Sequence, residues 1–171
     1  MNVGRLRWVA VITAAALLGC GEHPLGPVPP PPRASLIGSL LQATGLLGCT
    51  PMPTATATQT VGSAGGMIRI GPHALAIPAG ALDAPVTITA TAPSDNVNRV
   101  RFQPEGLVFR RSATLTMSYA NCNLLGKILP KRIAYTTDAL TILSYVLSLD
   151  NLFGKYVTGR LNHFSNYAIA W

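Results

Sequence analysis

The chain has 171 residues, 49% of them hydrophobic and only 11% charged, with 13 Lys and Arg against 6 Asp and Glu. That length allows one modest domain plus a linker. A basic surface suits anionic lipid headgroups or cell-wall polymers, but the basic residues stand singly or in pairs (Arg99/Arg101, Arg110/Arg111, Lys131/Arg132) without aromatic interleaving, which argues against a nucleic-acid groove.

At the start, Arg5 and Arg7 precede an apolar run from Trp8 to Leu18, which closes on Leu17-Leu18-Gly19-Cys20. The run has the size of a secretory h-region and is too short to span a bilayer as a helix. A small residue followed by cysteine at this point resembles the lipobox of bacterial lipoproteins, with Leu18 standing where a small residue is commonest. The resemblance implies a signal peptide over residues 1–19, a diacylglyceryl group on Cys20 and an acyl chain, palmitate for example, on the new N-terminus. It places the protein on a bacterial membrane, facing the periplasm or the cell exterior. Gly21, rather than Asp, is similar to lipoproteins sent to an outer membrane. An ordinary cleaved signal with an incidental Cys20 is the alternative. Each buried CH₂ contributes about 0.8 kcal/mol, so several acyl chains together convert a soluble chain into an anchored one.

Residues 21–35, GEHPLGPVPPPPRAS, form a proline-rich tract expected to be extended, stiff and solvated. It reads as a stalk. Residues 36–48 are apolar, with Leu36, Ile37, Leu40 and Leu41 at helical spacing, while Gly38, Gly45 and Gly48 weaken any helix. Such a segment docks on the domain, lies on the membrane or stays loose. Leu46-Leu47-Gly48-Cys49 repeats the lipobox pattern too far in to be the processing site. Residues 50–60, TPMPTATATQT, read as another connector, so the whole of 20–60 is expected to be lipidated cysteine plus linker.

From Val61 onward, short alternating runs are bounded by Gly, Pro, Asn and Asp. Strands are predicted at 67–70, 74–77, 86–91, 99–103 and 113–119, with more at 131–136, 141–149, 154–161 and 163–170. Val100 and Phe102 point inward with Arg99, Arg101 and Gln103 outward; Ala113, Leu115, Met117 and Tyr119 point inward with Thr114, Thr116 and Ser118 outward. The regular spacing and the absence of a long helical pattern predict an all-β chain, an antiparallel β-sandwich over 61–171. The terminal Tyr167–Trp171 run prompts a closed membrane barrel as a distant competitor, which the short strands and the leader disfavour.

Export would put Cys49 and Cys122 in an oxidising compartment, where an even pair predicts a disulfide rather than two free buried thiols. There is no C-x-x-C, and the three histidines stand far apart, so neither a metal site nor a cofactor is expected.

Gly65-Gly66-Met67-Ile68-Arg69-Ile70, Leu75–Leu82, Val86-Thr87-Ile88-Thr89, Pro104–Phe109 and Ala113–Tyr119, in this order and spacing, resemble the ZU5 domain. The similarity covers roughly Val61 to Trp171 and is most specific at Ile77–Leu82 and Gly106–Phe109. It implies a ZU5-like sandwich used for protein contact or as a structural module, usually without an enzyme site. Fold alone does not fix function.

Some ZU5-containing scaffolds cut themselves between Phe and Ser of an HFS sequence, and His163-Phe164-Ser165 is similar. Ser165 would attack the Phe164 carbonyl with His163 as general base, giving an ester that water hydrolyses. A kink would have to bring His163 and Ser165 together. Otherwise the triplet simply opens the closing strand. A hydrolase acting on wall polymers would need a constellation that Asp83, Asp95, Glu105, Asp138 and Asp150, each beside turn residues, do not form. A carbohydrate-binding module would rely on Tyr135, Tyr145 and Tyr156, for which core packing is the competing role. The leading expectation is therefore a non-enzymatic, lipid-anchored module contacting an envelope protein or a cell-wall polymer. Self-cleavage and sugar binding are the alternatives.

Overall fold

The computed structural model describes residues 45–171. The expected signal peptide, Cys20, the stalk and most of the apolar segment 36–48 lie outside the described residues.

Eleven strands follow in order: β1 (Ala55–Val61), β2 (Gly66–Ile70), β3 (His73–Ile77), β4 (Val86–Ala92), β5 (Arg99–Gln103), β6 (Val108–Ser118), β7 (Arg132–Thr136), β8 (Ile142–Tyr145), β9 (Ser148–Asn151), β10 (Tyr156–His163) and β11 (Asn166–Ala170). They form two antiparallel sheets, one of six strands in the order β1-β4-β5-β11-β7-β8 and one of five in the order β2-β3-β6-β10-β9. Among the described residues there is no helix, and the chain is the all-β sandwich that its alternation predicts. The inner faces meet in a core that includes Ile88, Val100, Phe102, Leu115, Met117, Leu161, Phe164 and Ile169, all buried. Gly80, at φ 75°, takes the left-handed angle that closes the turn after Pro78.

The structure begins the sandwich earlier than the sequence reading does. Thr54–Thr60, taken as connector, supplies β1, which pairs with β4 from Ala55↔Ala92 to Val61↔Val86. The cause is cross-strand threonine pairing: Thr56–Thr91, Thr58–Thr89 and Thr60–Thr87 hydroxyls lie 3.3, 3.0 and 2.9 Å apart. β-branched residues facing one another stabilise a wet sheet face that carries no apolar signature. Leu46 and Leu47 are also buried; Leu47 enters the main core while Leu46 covers Ala134, Ala168 and Ala170 on the outer face of the six-stranded sheet. Cys49 and Cys122 are joined in a disulfide that ties this entering segment to the loop after β6.

Two further boundaries differ. The run 141–149 divides into β8 and β9 because the chain crosses from one sheet to the other at Val146-Leu147. There Ser148 Oγ accepts from the Ile133 amide (3.0 Å) and donates to the Val146 carbonyl (2.7 Å), holding the edge of β7 where main-chain pairing stops. Gly159 permits the crossing, since a Cβ there would stand 2.9 Å from Ile133 Cδ1 and 3.2 Å from Val146 Cγ1. His163-Phe164-Ser165 does not open the closing strand: His163 ends β10, and Phe164 and Ser165 make the turn into β11.

His73 is the buried titratable group of the five-stranded sheet. Its Nδ1 accepts a hydrogen bond from the Ser118 amide (3.1 Å), so the ring proton sits on Nε2, which has no partner among the described residues. Burial holds the imidazole down at about 4, below the ordinary 6.5. The unfolded chain therefore binds a proton that the folded chain refuses between those values. This contribution to stability is intact above pH 6.5 and falls by about 3 kcal/mol as pH drops to 4. Urea unfolding of wild type and His73→Gln at pH 7.5 and 4.5 checks this. The wild type should lose more stability than the variant across that interval; equal losses refute the assignment.

Candidate functional site

The site lies where β10 leaves the five-stranded sheet and the chain crosses to β11 in the six-stranded one. Alternation along β10 buries Val157, Gly159 and Leu161 and leaves Arg160 exposed and His163 half-buried. Ser112 of β6 lies beside this end of β10, where its Oγ donates to Asn162 Oδ1 (2.7 Å). Tyr135 of β7 approaches from the other sheet, and the Ser144–Tyr145 stretch of β8 borders the same space. Together with Tyr167, these residues line a cavity of about 320 Å³ between the sheets.

The rings are set by one another. Tyr135 stands edge-on to His163, centroids 5.3 Å apart at 78°, and Tyr167 lies 6.1 Å from Tyr135 and 6.3 Å from His163. Tyr167 Oη donates to the His163 carbonyl (2.7 Å), and burial, with Tyr135 nearby, raises its phenol so that it stays a donor. Tyr145 pairs with Ala134, so its ring lies on the outer face of the six-stranded sheet, with Arg132 over it at 5.4 Å from the centroid and Gly45 beside its hydroxyl, turned away from the cavity. A second depression of about 440 Å³ shares Ser112 and Arg160 and adds Arg111 and Thr114. Arg111 is steadied by donating Nη1–H to the Ala79 carbonyl (2.9 Å). No carboxylate lines either depression, so two guanidinium groups give the pair a positive field.

The His163-Phe164-Ser165 turn forms one wall. The Phe164 ring is buried, stacked on Phe102 (4.8 Å, 13°) and edge-on to Phe109 (4.9 Å, 89°). Its carbonyl accepts from the Gly106 amide (3.0 Å), and its own amide donates to the Leu107 carbonyl (2.8 Å). His163 Nδ1 stands 3.4 Å from that same Phe164 oxygen. Ser165 is buried, and among the described residues no hydrogen bond joins its hydroxyl to His163. The Gly106 amide thus polarises the Phe164 carbonyl, while the imidazole faces that oxygen and not the serine hydroxyl.

The sequence-derived candidates separate. Tyr135 and His163 converge on the cavity, whereas Tyr145 turns its ring to the outer face of the six-stranded sheet. Tyr156 starts β10, at the opposite end of the strand, where its Oη accepts from Asn151 Nδ2 (2.9 Å). Asp83, Asp95 and Asp138 pair with Arg110, Arg99 and Arg101 at 2.7, 2.8 and 3.1 Å, and Asp150 accepts from Tyr119 Oη at 2.6 Å. Arg111, Ser112, Arg160 and Asn162 were not singled out from the sequence. The alternation of β10 puts Arg160 and Asn162 on one face, but their partner Ser112 is 50 residues away and needs the strand register to be found. No family model matches the chain, and no curated protein matches it.

Proposed function

We propose that the protein is a non-enzymatic module of the bacterial envelope, tethered through an acylated Cys20. Its ZU5-like sandwich binds an anionic wall polymer in the cleft of Tyr135, Arg160 and Arg111. The observation that carries this reading is the lining itself: aromatic rings beside two guanidinium groups, with no carboxylate. Tyrosine faces stack on sugar rings, and guanidinium forks take carboxylate or phosphate groups in bidentate fashion. Arg111 and Arg160 are exposed and make few demands on the core, so Arg111→Ala with Arg160→Ala should leave the fold intact. The double variant should bind isolated wall polymer at least tenfold more weakly than wild type in a sedimentation assay. Equal binding removes the cleft as the site.

Self-cleavage is kept as a second reading because the Gly106 amide donates to the Phe164 carbonyl, where an oxyanion would form, and His163 stands beside the same oxygen. Ser165 Oγ would attack that carbon, the C–N bond would break, and the hydroxyl proton would pass through His163 to the freed Ser165 amine. Water would then hydrolyse the ester to a Phe164 carboxylate and the Ser165 hydroxyl. The imidazole would first have to turn from the carbonyl oxygen toward the hydroxyl.

A further inference from the structure

The end of the sandwich away from the cleft carries side chains that the fold itself does not use. β6 ends at Ser118, β7 begins at Arg132, β9 ends at Asn151 and β10 begins at Tyr156, so the 119–131 loop and the 151–155 turn share one end. At their tips Leu125, Ile128 and Phe153 are 85%, 96% and 100% exposed, with Leu129 and Leu152 more than half exposed. Water is a poor solvent for such side chains, and large apolar residues gathered at one end of a domain mark a contact site.

Buried polar contacts hold the tips outward. The Tyr119 amide donates to the Lys155 carbonyl (2.8 Å), and the Lys131 amide donates to Asp150 Oδ2 (2.8 Å). The Lys131 ammonium turns under the loop, where Nζ donates to the carbonyls of Lys127 (2.9 Å) and Leu129 (2.6 Å). Burial lowers its pKa, with Asp150 opposing the shift. With that lysine beneath them, Leu125, Ile128 and Leu129 are left facing solvent.

Around the apolar tips stand Lys127, whose ammonium lies 3.5 Å from the centroid of the Trp171 ring, and the exposed Lys155 and Arg132. The acids at this end are already engaged: Asp150 accepts from Tyr119 and Lys131, and Asp95 pairs with Arg99. Asp83, Glu105 and Asp138 sit in turns at the other end. The chain also enters here, since the Trp171 amide donates to the carbonyl of Gly45, the first described residue (3.0 Å).

We propose that this end docks on an anionic lipid surface, Leu125, Ile128 and Phe153 entering the headgroup layer while Lys127, Lys155 and Arg132 meet its charge. Apolar tips ringed by cations are the chemistry of interfacial binding. The choice of a membrane over a second copy of the chain rests on that charge and on the tethered reading, because Cys20 lies in the segment that enters at Gly45. Docking would hold the cleft on the far side, since β10 runs about 23 Å from Tyr156 to His163.

The eleven described strands and the disulfide lie within 45–171, so residues 20–171 carrying Cys20→Ser keep this sandwich without an acyl chain. This protein should sediment with phosphatidylglycerol vesicles, and Trp171, its sole tryptophan, should be quenched by brominated lipid. Ile128→Asp with Phe153→Asp should lower partitioning at least tenfold. Lys127→Glu and Lys155→Glu should each lower it about fivefold, on anionic vesicles only. No vesicle binding, binding unchanged by the aspartates, or a dimer in light scattering that the aspartates dissolve would each overturn the proposal. Because the acyl chain is absent from this experiment, none of those results bears on lipidation of Cys20.

Discussion

Phe164→Ala should cost about 3–5 kcal/mol of unfolding free energy, the range for truncating a buried aromatic. The ring is fully buried and meets Phe102 from β5 and Phe109 from β6, one from each sheet. Its backbone is fixed independently by Gly106 and Leu107, so the turn does not collapse into the space left behind. The cavity would therefore persist between the sheets, where few atoms relax to fill it. Phe164→Leu, which keeps most of the volume, should cost about 1 kcal/mol. Urea unfolding of both variants measures this. A loss below 1 kcal/mol for alanine means that Phe164 is not the plug between the sheets.

Breaking the Cys49–Cys122 disulfide has an effect of similar size. The bridge spans 73 residues, and restoring that loop's freedom to the unfolded chain lowers stability by about 4 kcal/mol in the chain-entropy description. The bond also holds the segment that brings Leu47 into the core and that hands Thr50 N–H to the Asn121 carbonyl (2.9 Å). Reductant, or Cys49→Ser with Cys122→Ser, should shift the urea midpoint down and expose the residues ahead of β1 to protease. A midpoint insensitive to reductant would restore the alternative of two free thiols.

Strands with one apolar and one wet face were readable directly: Val100 and Phe102, or Leu115 and Met117, alternate with polar residues and pack inward. β1 was not readable, because its inward face is only Ala55 and Ala57, too small to mark a strand, and its outer face is held by threonines of β4, 27 to 35 residues on. Leu46 and Leu47 resembled linker for the same reason, since what buries them is the far end of the chain. The division of β8 from β9 depends on Ser148 substituting for main-chain pairing, which alternation cannot express. At the site, Tyr135 and His163 were each visible as candidates. Their meeting was not, because β7 and β8 belong to one sheet and β10 to the other.

Tethering is tested most directly by the intact mass of the protein extracted from its own membranes. The expected chain starts at Cys20, heavier by a diacylglyceryl group and an acyl chain, and Cys20→Ser leaves the membrane fraction. The same spectrum reports cleavage, as a chain short of Ser165–Trp171 once denatured. An unmodified Cys20, or a Cys20→Ser protein that fractionates like wild type, would contradict the lipid anchor.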